Sequence, residues 1–267
     1  MKFKDIILVI LIGIFIFIFK ENNLIRNSIY DGVIIWFKYI VCSLLPIYFI
    51  VDLMLNYGIT DFIKNNKVIL VILSFLLGAP SNAKYIDEFL KKKLISIDDA
   101  KHLLFSIYSP SILFILGLNY YSYKLIVIII FLDLIMYFIS KSFFIKSKDK
   151  KKAYTYPRKE FTKVIEESTK KSFEILILIL GIISFYKIII ALVSSLNIDF
   201  LSYFIELTSA CDIVIKNDLG IFTMLLCLLF GGVSVHTQVK SINSDLYKYF
   251  LYGRIISTIP SLILLFV

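Results

Sequence analysis

The chain has 267 residues, of which 59% are hydrophobic, and it carries a formal net charge of +9. Its mean hydropathy of +0.85 is too high for the surface of a water-soluble protein. This composition excludes a soluble globular protein and predicts an all-α, polytopic membrane protein with about eight helical segments.

Apolar runs recur along the whole chain. Only some of them approach the roughly 20 residues that a straight membrane span requires. The first run is not followed by a cleavage site of small residues, so we interpret residues 1–30 as a retained membrane helix and its linker rather than as a signal peptide. The runs are 6–19, 32–55, 68–77, 103–118, 125–139, 173–193, 219–230 and 250–267.

Lysines indicate the expected topology, because cytoplasmic loops of membrane proteins carry an excess of Lys and Arg. Lys2 and Lys4 place the N-terminus in the cytoplasm, and Lys64 and Lys67 place the loop before the third run there as well. The lysine-rich stretch after that run also belongs on the cytoplasmic side. These placements agree only if run 68–77 enters the membrane and returns on the same side, which predicts a re-entrant hairpin with "GAPSNAK" at its tip.

The residues of this tip suit a break in a helix at membrane depth. Gly78 permits the turn, Pro80 can begin a new half-helix, and Ser81 and Asn82 can cap it. Half-helix ends of this kind are ligand-binding elements in secondary transporters. The alternative is an ordinary turn at the membrane surface, because Lys84 follows at once.

Residues 141–171 form a basic loop, with eleven Lys or Arg and four Asp or Glu. Such a run could bind nucleic acid, but between membrane segments it is more typical of a cytoplasmic loop that contacts anionic lipid. We therefore expect membrane lipid, and no nucleic acid, as its partner. Phe161, Val164 and Ile165 are spaced as on one face of a short helix lying on the inner leaflet.

Similar interruptions follow in the second half of the chain. "GGVSVHTQ" repeats the spacing of glycine and serine in "GAPSNAK", and Pro260 in "TIPSLILLF" matches Pro110 in "YSPSILFIL". We predict an inverted repeat of residues 31–145 and 172–267, separated by the basic loop 146–171. Chance similarity between runs rich in Leu and Ile is the alternative.

Four stretches, "LLGAPSNAK", "SIYSPSILFILG", "IELTSACDI" and "FGGVSVHTQVKSI", resemble in order and spacing the YlbJ-type sporulation integral membrane proteins, which belong to the nucleoside-recognition or Gate-domain proteins. The most specific piece is Gly-Gly-x-Ser-x-His-x-Gln at 231–238. Glu206 and Thr208 are similar to a Glu-x-Thr of that family. The resemblance implies a multi-pass protein of endospore-forming bacteria that takes part in spore cortex formation, and it implies no particular substrate.

Catalytic and metal-binding patterns are not visible in the sequence. Cys42, Cys211 and Cys227 are too far apart for a disulfide framework or a metal motif, and two histidines alone do not make a zinc site. No pairing of a nucleophile with a base can be recognised either. We therefore predict that the protein is not an enzyme and binds neither a metal nor a cofactor.

Charged residues inside the apolar runs need an explanation of their own. Asp133 lies in the middle of run 125–139, where an isolated charge would be costly, so we expect a polar neighbour to shield it from lipid. Lys38 and Lys187 lie nearer the ends of their runs, and we expect them to extend to the membrane interface.

The breaks together indicate a function. We expect two hairpin tips to enclose a small polar solute, neutral or anionic, in a transporter or permease-like protein of the cell membrane. The alternative is a non-transporting scaffold of a sporulation complex that docks through the basic loop, and a homo-oligomer is also left open. The candidate solute-binding residues are Gly78, Pro80, Ser81, Asn82, Ser109, Glu206, Thr208, Gly231, Gly232, Ser234, His236 and Gln238.

Overall fold

A computed structural model describes residues 3–57, 67–107, 109–144 and 160–265, and every element of regular secondary structure in these ranges is a helix. Helices suit so apolar a chain because they pair backbone N–H and C=O groups within one segment. The helices are α1 (Phe3–Lys20), α2 (Asn22–Asn56), α3 (Lys67–Leu77), α4 (Ser81–Lys91), α5 (Ile97–Ser106), α6 (Ile112–Leu118), α7 (Ser122–Phe144), α8 (Phe161–Ser195), α9 (Ser202–Ile205), α10 (Leu207–Lys216), α11 (Gly220–Phe230), α12 (Gly232–Ile242) and α13 (Tyr247–Leu265).

Among the described residues, four stretches are long and apolar enough to cross a membrane: α2, α7, α8, and α11 together with α12. This all-helical architecture with several apolar helices is that of an all-α membrane protein. Helix α8 begins at Phe161 and continues without a break to Ser195. The expected separate helix on the inner leaflet is therefore wrong, because the stripe that predicted it is the first turn of a long helix.

The two longest helices, α2 and α8, have 35 residues each and pack side by side. Ser168 on α8 contacts Asp52 on α2, whereas Lys187 lies beside Gly32, so the helices are antiparallel. At about 52 Å each is longer than the hydrocarbon core of a bilayer, roughly 30 Å. The other helices are arranged around this central pair.

Helix α2 is continuous but not uniform. It contains a π turn at Trp36–Val41 and passes through Pro46. Pro46 has no N–H to donate to the carbonyl of Cys42, and a π turn is the kind of local adjustment that accompanies such a gap. Ile40 in the π turn and Leu44 just after it face the cavity described below.

Two interrupted helices and one long helix follow each member of the α2–α8 pair. After α2, the chain breaks between α3 and α4 and between α5 and α6, and α7 completes this set. After α8, it breaks between α9 and α10 and between α11 and α12, and α13 completes the set. Helix α5 packs along α7 as α11 packs along α13, and α5 also packs along α13.

Local residues explain where several helices begin or end. Ser96 forms a capping box with Asp99 at the start of α5, and the Ser111 hydroxyl accepts a hydrogen bond from Phe114 at the start of α6. Gly231, with φ of +80°, ends α11. The expected break at Pro260 is wrong, because α13 continues through residue 260. A proline inside a membrane helix is tolerated where its surroundings satisfy the freed backbone group.

Replacing Gly78 by alanine should disrupt the packing of the breaks. A Cβ at Gly78 would lie 2.0 Å from the backbone N of Ser111, and the φ of +57° costs an L-residue about 1–2 kcal/mol even without a clash. Gly181 is the matched control, because it lies in α8 and a Cβ there meets nothing within 4 Å.

Size-exclusion chromatography and thermal unfolding of detergent-solubilised protein measure the difference. We expect Gly181→Ala to behave like the unsubstituted protein and Gly78→Ala to give little monodisperse protein. Equal thermal stability of the two variants would show that the close approach of Gly78 to Ser111 is not required.

Candidate functional site

The breaks of both halves border one cavity of about 40 Å³, which is room for one or a few water molecules. Its polar lining comes from Ser111, Glu206, Thr208 and Gln238, and Pro80 borders it beside the first break. Ile179 and Ile183 of α8 and residues of α2 supply apolar walls. Four of the expected site residues, from three separate segments, therefore line one cavity: Pro80, Glu206, Thr208 and Gln238.

In the first half, the two breaks pack directly against each other. The backbone N–H of Ala79 donates a hydrogen bond to the carbonyl of Ser109 at 2.8 Å. Gly78 lies so close to Pro110 and Ser111 that a Cβ would overlap their backbone. Glycine is thus needed at residue 78 both for its positive φ and for this contact.

The two breaks of the second half make a corresponding contact. Gly232, with φ of +68°, approaches the backbone of Glu206 and Leu207, and a Cβ on it would lie 2.9 Å from the N atom of Leu207. In each half, therefore, non-helical backbone of one interrupted helix is covered by that of the next. Such enclosure is what non-helical backbone requires at membrane depth.

Glu206 is buried and forms the N-cap of α10. Its Oε1 accepts a hydrogen bond from the Thr208 N–H at 3.0 Å, and its Oε2 accepts from the Thr208 hydroxyl and from the N–H and hydroxyl of Ser209 at 2.6 to 2.7 Å. A carboxylate at a helix N-terminus is also favoured by the helix dipole. The alternative in which Glu206 is a water-exposed loop residue is wrong.

Ser81 and Asn82 do not cap α4, contrary to expectation. Pro80 occupies the N-cap position without a side-chain hydrogen bond. The Ser81 hydroxyl instead pairs with Tyr48 of α2 at 2.6 Å, and the Asn82 amide donates to the carbonyl of Ile107 at 3.1 Å. Both side chains attach the first tip to neighbouring elements.

Asp133 of α7 is completely buried, and Ser109 donates a hydrogen bond to its Oδ2 at 2.5 Å. The prediction that a polar neighbour shields Asp133 from lipid is confirmed. Arg254 of α13 also acts on Asp133 electrostatically. Since Ser109 belongs to the break between α5 and α6, this carboxyl group holds that break in place.

Arg254 is the corresponding residue at the break between α11 and α12. Its Nη1 donates to the carbonyls of Leu228 and Leu229 at 3.0 and 2.8 Å, and its guanidinium lies 4.7 Å from the centre of the Phe250 ring. These carbonyls are at the end of α11, where helical partners run out. A Cβ on Gly231 would lie 2.2 Å from Nη1, so the glycine makes room for the arginine.

The histidine and serine of "GGVSVHTQ" do not line the cavity, whereas Gln238 does. His236 packs among Phe230, Tyr247 and Phe250, and its ring nitrogens lie 3.2 Å from the Phe230 carbonyl and the Tyr247 hydroxyl. The Ser234 hydroxyl is buried and has no hydrogen-bond partner among the described residues. The structure thus separates the members of this string into cavity-lining and packing residues.

A polar cluster that sequence reasoning missed connects α2, α4 and α8. Asp52 accepts hydrogen bonds from Tyr85, Ser168 and Lys171 at 3.0 to 3.1 Å, and Lys171 also contacts Glu88 at 2.8 Å. A carboxylate in the apolar run "YFIVDLMLN" was the available signal for it. Arg254, in the last apolar run, was missed in the same way.

No group of three or more metal-ligating side chains occurs among the described residues. Neither a protein-family model, nor a curated protein, nor a solved structure matches this chain. The fold and its apolar helices therefore define the protein only as an all-helical membrane protein.

Glu206→Gln should destabilise the start of α10. Only one side-chain oxygen would remain to accept hydrogen bonds, and the new amide group would face the donors of Thr208 and Ser209. We expect the free energy of unfolding to fall by about 1–3 kcal/mol. Hydrogen exchange of the amides at 207–210 reports the effect locally, and Glu174→Gln, at an exposed residue of α8, is the control. A similar loss of protection in both variants would argue against the capping role.

Proposed function

We propose that the protein is a transporter or permease-like membrane protein whose interrupted helices enclose a small polar solute. The observation that carries this proposal is the single cavity bordered by Pro80, Glu206, Thr208 and Gln238. The Gln238 side-chain amide makes no hydrogen bond to the other described residues, so its donors and acceptor are available to a ligand.

An inverted repeat underlies this site. Its two halves correspond helix by helix in a different way from the one expected from sequence. In this proposal α2 corresponds to α8, the interrupted pairs α3–α4 and α5–α6 to α9–α10 and α11–α12, and α7 to α13. The antiparallel course of α2 and α8 supports the inversion, and the contact of the first break with the second in each half supports the pairing. The break at Gly78 thus matches the one at Glu206, not the one at Gly231.

Helix α4 supports the proposal that the first interrupted segment is re-entrant. Ser81 pairs with Tyr48, and Tyr85, one turn later, pairs with Asp52, one turn later on α2. Helix α4 therefore runs in the same direction as α2 and ends beside Lys171. A segment that descends in α3 and returns in α4 would begin and finish on the cytoplasmic side, as the lysine distribution requires.

Transport would need the tips to separate. A cavity of about 40 Å³ is far below the roughly 300 Å³ or more of a typical small-molecule pocket, so this conformation has no room for a bound solute. Movement of one interrupted segment relative to the α2–α8 pair would open the cavity to one side.

The second candidate is the non-transporting scaffold, and the small, largely apolar cavity is the observation that favours it. We further propose a role in spore cortex formation, for either candidate, on the resemblance of the tip and "GGVSVHTQ" stretches to YlbJ-type proteins. In both cases the chain is a multi-pass protein of the cell membrane.

Gln238→Leu should impair solute uptake while leaving the fold intact. Leucine keeps the approximate volume but removes every hydrogen bond that the amide can offer, so we expect about tenfold or greater loss of apparent affinity. Thr237→Val, at the neighbouring residue that faces Tyr186 rather than the cavity, is the control.

Proteoliposome uptake of a panel of labelled sugars, nucleosides and amino acids provides the measurement. If no solute enters and Gln238→Leu still supports cortex formation in an endospore-forming host, the scaffold is favoured over the transporter.

Labelling of single cysteines with a membrane-impermeant maleimide should reveal the topology. In a Cys42→Ser background we expect Tyr123→Cys, at an exposed residue before the apolar part of α7, to react from outside. Lys91→Cys and Lys170→Cys should react only after the membrane is permeabilised. Labelling of Lys91→Cys in intact cells would show that α3 and α4 cross the membrane.

A further inference from the structure

Lys187 is a buried lysine in the apolar part of α8. Only 8% of its surface is exposed, so neighbouring residues cover most of this side chain. Its aliphatic part packs on Gly32 of α2, where an added Cβ would lie 3.0 Å from the Lys187 Cγ. Gly32 therefore provides the space that keeps this lysine inside the protein.

The Lys187 ammonium group makes neither a hydrogen bond nor an ion pair with any other residue in the described ranges. A buried charge in a membrane protein is normally paired, or it faces a ligand or an ion pathway. Lys187 thus differs from Lys171 on the same helix, which contacts both Asp52 and Glu88.

Position on α8 connects Lys187 with the cavity. Ile179 and Ile183 line the cavity, and Lys187 follows Ile183 by one helical turn on the same face. Ile183 also approaches Gly32, at 3.6 Å from the position of its added Cβ, so the two side chains are neighbours on this glycine. Lys187 therefore lies one helical turn from the lining of the cavity, on the face of α8 that packs against Gly32.

The nearby carboxylates do not serve as its partner. Glu206, Asp31 and Asp212 act on Lys187 electrostatically. However, Glu206 already accepts four hydrogen bonds from Thr208 and Ser209, and Asp212 is paired with Lys216 at 2.7 Å. Asp31 is exposed and is not within ion-pair distance of Lys187.

We propose that Lys187 binds the anionic group of the transported solute, which makes the substrate class small organic anions that also carry hydrogen-bond donors. The anionic carboxylate or phosphate would pair with Lys187, and the donors would reach Gln238 and the remaining acceptor site of Glu206 Oε1. This inference rests on the proposed transport function and specifies the charge of the solute.

Matched pairs of neutral and anionic compounds test the proposal. The probes are glucose with glucuronate, lactamide with lactate, and glycerol with glycerol phosphate, each added to purified protein in detergent at constant ionic strength. Thermal unfolding reports binding, because a ligand that binds only the folded state stabilises it. The variants are Lys187→Gln and, as the matched control, Lys38→Gln, which changes an exposed lysine of another apolar helix.

We expect anionic members to stabilise the protein and the Lys38→Gln variant, and Lys187→Gln to lower their affinity about 10- to 100-fold. If Lys187→Gln fails to fold, Lys187→Arg, which keeps the charge, should fold and retain the preference for anions. Binding of neutral members unaffected by Lys187→Gln would overturn the anion assignment while leaving the transporter in place. If none of the probes stabilises the protein, both the anion assignment and the proposed transport function are contradicted.

Discussion

The fold depends on the requirement that backbone groups released at a helix break find partners away from water. Four interrupted helices in the described part of the chain create such groups, and the structure covers them in pairs. Ala79 donates to the carbonyl of Ser109, and the backbone at Gly232 lies against Glu206 and Leu207. Only glycine allows so close an approach, which explains why the breaks of each half share one glycine contact. The cavity forms where the two pairs of breaks face each other.

Each half also uses one buried ionisable side chain on its last long helix. Asp133 accepts from Ser109 at the break of the first half, and Arg254 donates to the end of α11 in the second. A carboxyl group suits the first environment, which offers a hydroxyl donor, and a guanidinium group suits the second, which offers carbonyl acceptors.

Much of the helical content could be predicted from the sequence, and the site could be predicted only in part. Apolar runs and the glycines at 78 and 231 mark helices and breaks, because these signals are local. His236 and Gln238 could not be separated, although they point about 200° apart on α12. The contacts of the buried charged side chains lie more than 25 residues away in the sequence. Asp52 pairs with Lys171, Lys187 packs on Gly32, and Arg254 donates to Leu228. No local pattern carries that information.

Side-chain contacts also make α4 and α10, the helices after the first break of each half, unequal. Ser81, Tyr85 and Glu88 join α4 to α2 and α8 through hydrogen bonds and an ion pair. The described side-chain bonds of α10 are instead internal, from Glu206 to Thr208 and Ser209 and from Lys216 to Asp212. Displacing α4 would break several of these contacts, and each polar group left unpaired costs about 1–3 kcal/mol. Helix α10 can move with its side-chain hydrogen bonds intact. On the proposed transport function, opening by movement of α10 therefore requires less free energy than opening by movement of α4.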